Sequence, residues 1–148
     1  MTTFEDLSVG DELEPRVVED LQGDDMKLVA ALLQDPYPPH FDERRASELD
    51  YPGLLNQGPA NLSYLLQTVV RSLESPTDLS SFDVRFHDMV FEHETVTATA
   101  TVEDKHSTNE GGIVEFALEL EKADGTVAVD GSARARFPPS DSVPAPKS

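Results

Sequence analysis

Residues 59–73 read PANLSYLLQTVVRSL, in which Leu62, Leu65, Leu66, Val69, Val70 and Leu73 recur at i, i+3, i+4, i+7, i+8 and i+11. That spacing lays one broad apolar stripe along an α-helix, and Pro59 suits its first turn, where no intrahelical N–H is required. A stripe so wide predicts a buried helix. Beyond the turn material at Ser75, Pro76 and Thr77 the sequence switches to alternation with period two, the mark of half-buried antiparallel strands. Phe82, Val84 and Phe86 share one face. Val96, Ala98, Ala100 and Val102 oppose a run of threonines, and Val114, Phe116, Leu118 and Leu120 alternate with glutamates. Val127, Val129, Gly131, Ala133, Ala135 and Phe137 complete the series, with turns expected at residues 109–112 and 123–125. One long buried helix followed by a run of antiparallel strands is an α+β plan in which the sheet wraps the helix.

Upstream, residues 8–19 open with a Gly10-Asp11 turn and predict a short first strand through Leu13, Val17 and Val18. Residues 24–33, DDMKLVAALL, place Met26, Val29, Ala30 and Leu33 at helical spacing, with acidic residues where a helix dipole favours them. The helix must stop before Pro36. Residues 35–53, DPYPPHFDERRASELDYPG, are so rich in proline that they predict a stiff irregular loop, with a helical turn over residues 43–49 capped by Asp42. From Pro138 the sequence PPSDSVPAPKS reads as a disordered tail, so the folded domain is expected over residues 1–137.

The 148 residues are enough for one domain, and the absence of cysteine removes disulfides, thiolate nucleophiles and thiolate metal sites. With Asp+Glu 29 against Lys+Arg 11, the formal charge of -18 repels nucleic acid and anionic lipid. Neither is expected as a partner. No apolar run approaches a membrane span, and the acidic amino-terminal stretch lacks the features of a secretory signal, so a soluble, cytoplasmic protein is expected. The acidic residues are spread through every segment, a composition that resembles proteins of extreme halophiles. His87, His93 and His106 show no metal-ligand spacing, and no metal is expected. Arg85, Arg134 and Arg136 fall on the solvent faces of strands, where ion pairs with neighbouring carboxylates are the expected use.

The segment Gln34-Asp35-Pro36-Tyr37-Pro38-Pro39-His40-Phe41-Asp42, with Ala46 beyond it, resembles the hydratase signature of MaoC-like proteins: an aspartate and a histidine five positions apart in a proline-containing loop. Gln57-Gly58-Pro59-Ala60 resembles the second block of that family, where a glycine opens the central helix. Weaker likeness extends to FEDLSVGDEL at the start, to Val84-Arg85-Phe86 and to Asp130-Gly131-Ser132-Ala133. The resemblance implies a hotdog fold, normally dimeric, whose exposed sheet edge a second copy would cover.

It also implies water addition to trans-2-enoyl-CoA giving (R)-3-hydroxyacyl-CoA, or the reverse dehydration, with no cofactor beyond the coenzyme A of the acyl-CoA thioester substrate. Such chemistry needs one group to take a proton from water, another to deliver one to the α-carbon, and stabilisation of the thioester oxygen. The resemblance assigns the first two tasks to Asp35 and His40 without fixing which does which. It assigns the third to the Gly58 N–H at the helix start, and a small hydroxyl near the water to Ser63. The chain departs from the family at Tyr37 and Gln57, where asparagine and histidine are usual, and at Pro59, where methionine is. Both Tyr37 and Gln57 are therefore candidate substrate-binding positions. Two other functions fit the same fold: an acyl-CoA thioesterase, and a non-catalytic acyl-thioester-binding subunit of a hetero-oligomer.

Overall fold

The computed structural model describes residues 2–139. Five antiparallel strands form one sheet in the order β1-β3-β4-β5-β2. They are β1 (Arg16–Val18), β2 (Leu79–Phe86), β3 (Val96–Thr108), β4 (Gly111–Lys122) and β5 (Val127–Phe137). The predicted first strand is thus confined to three residues, with Glu12 adding an isolated bridge to Thr101. Its flank still meets β3 outside a regular ladder, with Leu13 buried and its N–H donating to the Ala100 carbonyl at 2.9 Å.

Three α-helices precede β2: α1 (Gly23–Leu33), α2 (Glu43–Glu48) and α3 (Gly58–Val70). Helix α3 touches all five strands, so the sheet curls around it. Alternation does what period two demands: Val96, Ala98, Ala100, Val102, Val114, Phe116, Leu118, Leu120, Val129, Ala133, Ala135 and Phe137 are all buried. The ladder row Val102–Phe116–Ala133 sets a large ring between smaller neighbours, which lets the helix settle on an interlocking surface.

Gly131 faces Val84 across the β5–β2 pair, and a Cβ there would run into the Asp83 carbonyl and the Val84 backbone. Glycine is what allows β2 to lie against β5. The two tight turns match expectation: Thr108 pairs with Gly111, whose φ is +115°, and Gly125 closes the β4–β5 turn at φ +90°.

Three sequence expectations need correction. Helix α3 ends at Val70, and its deepest residues are Asn61, Leu65, Thr68 and Val69, so the buried line is rotated from the leucine stripe. The polar pair is tolerated because it is satisfied: Asn61 Oδ1 accepts from Asn56 Nδ2 at 2.7 Å and Thr68 Oγ1 donates to the Leu65 carbonyl at 2.6 Å. On α1, Met26 and Ala30 are buried, but Leu33 is 50% exposed, as are its neighbours Leu28 and Leu32 to a greater degree. Finally, Phe82 and Phe86 are 46% and 54% exposed, because β2 is the edge strand and nothing among the described residues covers that end of the sheet. The tail beyond residue 139 lies outside the described residues.

Candidate active site

Helix α1 stops at Gln34, whose left-handed φ of 51° turns the chain and lets the Asp35 N–H bond back to the Ala30 carbonyl at 2.9 Å. Asp35 is pinned again through its side chain, Oδ1 accepting from the Tyr37 N–H at 3.1 Å. The prolines then do what a rigid loop requires: Pro38–His40 forms a single 3₁₀ turn that carries the imidazole inward. Asp42 caps α2 as expected, accepting from the N–H groups of Arg44 and Arg45.

His40 is 7% exposed. Its Nδ1 lies 2.7 Å from the Leu55 carbonyl, and Leu55 N–H donates to the Pro39 carbonyl at 2.9 Å. A carbonyl only accepts, so Nδ1 carries a proton and the tautomer is fixed. Nε2 is thereby directed at Asp35 Oδ2, 3.3 Å away. That separation exceeds a tight charge-assisted bond of about 2.7–2.9 Å, leaving both groups capacity toward a third atom between them.

The clip on Leu55 also brings the pair to the start of the central helix, since Gly58 follows only three residues later. Residues 54–56 are held from the other side by Asn56 N–H to Val90 O and Glu92 N–H to Leu54 O, both 2.8 Å. No side chain caps α3. Its first N–H groups, at the positive end of the helix dipole, are left unspent by Gln57. A Cβ at Gly58 would meet the Phe86 ring at 3.4 Å, the short end of ordinary contact, so packing within this chain does not demand glycine there.

Gln57 is fully buried against α1, donating from Nε2 to the Met26 carbonyl at 2.9 Å, while its Oε1 has no partner among the described residues. The Ser63 hydroxyl is turned to its own helix, donating to Ala60 O at 2.7 Å. Tyr37 is 44% exposed, and its ring meets His40 edge-on with centroids 5.3 Å apart. Beside Asp35 runs a groove of about 410 Å³ bounded by Lys27, Ala30, Ala31, Gln34, Pro36 and Phe41. A hollow of about 440 Å³ between the amino-terminal segment and the end of α3 contains none of the predicted site residues.

Several features had no sequence signal. The Leu55 carbonyl that fixes His40 is a main-chain group, and the Asn56–Asn61 hydrogen bond joins a loop to a helix. His87 pairs with Asp130 and His93 with Asp20, each at 2.8 Å, and Arg134 and Arg136 lie 4.0 and 3.8 Å from Glu115 and Asp78. The arginine pairs are of the expected solvated kind.

The sequence model of the MaoC like domain matches residues 6–123, well over half of the chain. The chain belongs to the MaoC-like family. Solved structures agree on the hotdog fold. The R-hydratase PhaJ1 of Pseudomonas aeruginosa has TM-score 0.82 and 21% identity, over 93% of this chain and 86% of that one. The (R)-hydratase of A. caviae involved in PHA biosynthesis gives 0.77 and 21%, over 89% and 98%. A MaoC-like dehydratase from Rhodospirillum rubrum gives 0.75 and 20%, over 93% and 98%. At those identities the likeness speaks for the fold alone. No curated protein matches the chain. No helix among the described residues is long and apolar enough to cross a membrane.

Proposed function

We propose that this MaoC-like chain is an acyl-thioester hydratase that adds water to trans-2-enoyl-CoA to give (R)-3-hydroxyacyl-CoA, or runs the reverse dehydration. The observation that carries this reading is the Asp35–His40 pair. A nearly buried imidazole has its tautomer fixed by Leu55 and its free nitrogen turned to a carboxyl group that borders an apolar groove. One water held between Nε2 and Oδ2 would lose a proton to the pair, while its hydroxyl adds to the β-carbon. The α-carbon then takes a proton from the same pair, so the net reaction consumes one water and leaves the pair as it began. The uncapped start of α3 supports the third requirement, because the Gly58 N–H is free to stabilise negative charge on the thioester oxygen. The glycine there is then explained by the acyl group, which would approach the helix start beside the Phe86 ring.

The functional unit in this reading is a homodimer. Strand β2 ends the sheet with Phe82, Phe86 and the nearby Met89 exposed, and a second copy paired along β2 would cover both the open edge and these side chains. The protein operates without metal or redox cofactor and without a membrane or nucleic-acid partner, in the cytoplasm. The test is an assay of the purified chain in high salt with a short and a long enoyl-CoA, following both enoyl absorbance and free thiol. Loss of enoyl absorbance with an (R)-3-hydroxyacyl product supports the reading. Thiol release with the enoyl group intact replaces it by a thioesterase, and binding without either reaction replaces it by a non-catalytic subunit.

A further inference from the structure

Tyr37 stands beside both members of the pair. Its main-chain N–H donates to Asp35 Oδ1 at 3.1 Å, and its ring presents an edge-on contact to the imidazole, with the planes at 68°. At 44% exposure its bulk has no role in filling the core, so its neighbours must explain it. Behind Tyr37 stands Tyr51. Hydrogen bonding with Tyr37 is the main reason that the Tyr51 phenol is held above its ordinary 10.0, with desolvation adding to the rise and the Arg45 charge opposing it. Tyr51 packs on Phe91 with ring centroids 5.2 Å apart, Phe91 bridges Leu55, and the Leu55 carbonyl holds His40 Nδ1. Ring and main-chain contacts thus tie Tyr51 through Phe91 and Leu55 to His40.

We propose that Tyr37 is a positioning residue for the Asp35–His40 pair, its ring packed on the imidazole that the Leu55 carbonyl holds at Nδ1. The pair alone cannot set the imidazole's tilt. The Nδ1···O contact by itself does not set rotation about its own axis, and the Tyr37 ring, packed on the imidazole with centroids 5.3 Å apart, opposes that rotation. Rocking would swing Nε2 away from Oδ2, and a misplacement of about 1 Å in a catalytic group costs about a hundredfold in rate. The ring is thereby assigned to orientation, and the acyl chain is left to the groove on the other side of Asp35.

The inference rests on the hydratase reading only for its kinetic arm. Tyr37→Ala should lower kcat between about tenfold and a hundredfold with KM unchanged. A rise in KM that depends on acyl length would make Tyr37 a pocket wall and overturn the proposal. So would wild-type kinetics in Tyr37→Ala.

The second arm needs no substrate. With ¹⁵N-labelled histidine, the proton on His40 Nδ1 should exchange slowly with solvent in the unaltered protein, because Leu55 holds it in a nearly closed site. Tyr37→Ala should speed that exchange, and its melting temperature should stay put. Equal exchange in the two proteins overturns the positioning role even if the chain proves to be a hydratase. Faster exchange in the variant upholds it even if the substrate proves to be something else.

Discussion

Replacing Asp35 by asparagine changes one atom and tests the site with little collateral damage. The amide oxygen takes over the Oδ1 role, accepting from the Tyr37 N–H as the carboxylate does at 3.1 Å. The amide nitrogen then occupies the place of Oδ2, 3.3 Å from His40 Nε2, and donates to it, because the Leu55 carbonyl forces the proton onto Nδ1. The lone pair on Nε2 becomes engaged, and the carboxyl group that could return a proton is gone. Both halves of the acid/base cycle stop with the fold intact. A loss of at least about a hundredfold in turnover follows, equivalent to about 2.7 kcal/mol on the barrier. Asp35 is half-exposed and keeps its main-chain tie to Ala30, so stability should move by less than about 1 kcal/mol, or about 2–4 °C in Tm for a chain of this size. His40→Ala is the poorer probe: it leaves a void and strips the Leu55 carbonyl of its donor, a penalty of about 1–3 kcal/mol that blurs any kinetic reading. The assay is crotonyl-CoA hydration beside a thermal melt. Asp35→Asn turning over at the wild-type rate, with an unchanged melt, would refute the assignment.

Three other perturbations bear on the fold. Gly131→Ala should cost about 1–3 kcal/mol, because the new methyl strikes the backbone of β2 at Asp83 and Val84 and the strand has to give way; a melt unchanged from wild type would contradict that packing. With a formal charge of -18, Tm should climb with added salt as the Debye length shrinks from about 30 Å at 0.01 M to about 3 Å at 1 M; a flat profile would remove charge repulsion as a factor. The Asp20 hydrogen bond holds the His93 pKa above its ordinary 6.5, so the pair's contribution is present in full below the unfolded value and fades as pH rises through the folded one. Asp20→Asn should therefore lower Tm more in mildly acid than in alkaline buffer, and the opposite trend would show the sign to be wrong.

What was readable in the sequence follows from what regular geometry writes into it. Period two exposed the inward faces of β3, β4 and β5 because every second side chain on a central strand meets the core, and Val96 to Val102 and Val114 to Leu120 obey it. The loop carrying Asp35 and His40 was readable through its prolines and its likeness to a family signature. The means of holding that pair were not. The Leu55 carbonyl is a group that every residue possesses, and the Phe91–Leu55 bridge and the Tyr51–Phe91 stacking join segments about 40 residues apart, a distance no periodicity encodes.

The departures on α3 and β2 have a different origin. Leu62, Leu66 and Val70 are half-buried, and Phe82 and Phe86 are largely open, although their pattern assigned them an inside. A hydrophobic pattern records every surface that is dry in the functional protein and does not say which chain dries it. On β2 the pattern and the edge position coincide. Phe86 stands over Gly58 at the opening of the central helix, so whatever covers that strand also borders the proposed oxyanion position. In the proposed homodimer, pairing along β2 and catalysis are in this sense one requirement. A variant with Phe82 and Phe86 both replaced by serine should therefore fall to a monomer in sedimentation and lose turnover together. A monomer that retained full turnover would separate the two and return the open face of β2 to the status of unexplained surface.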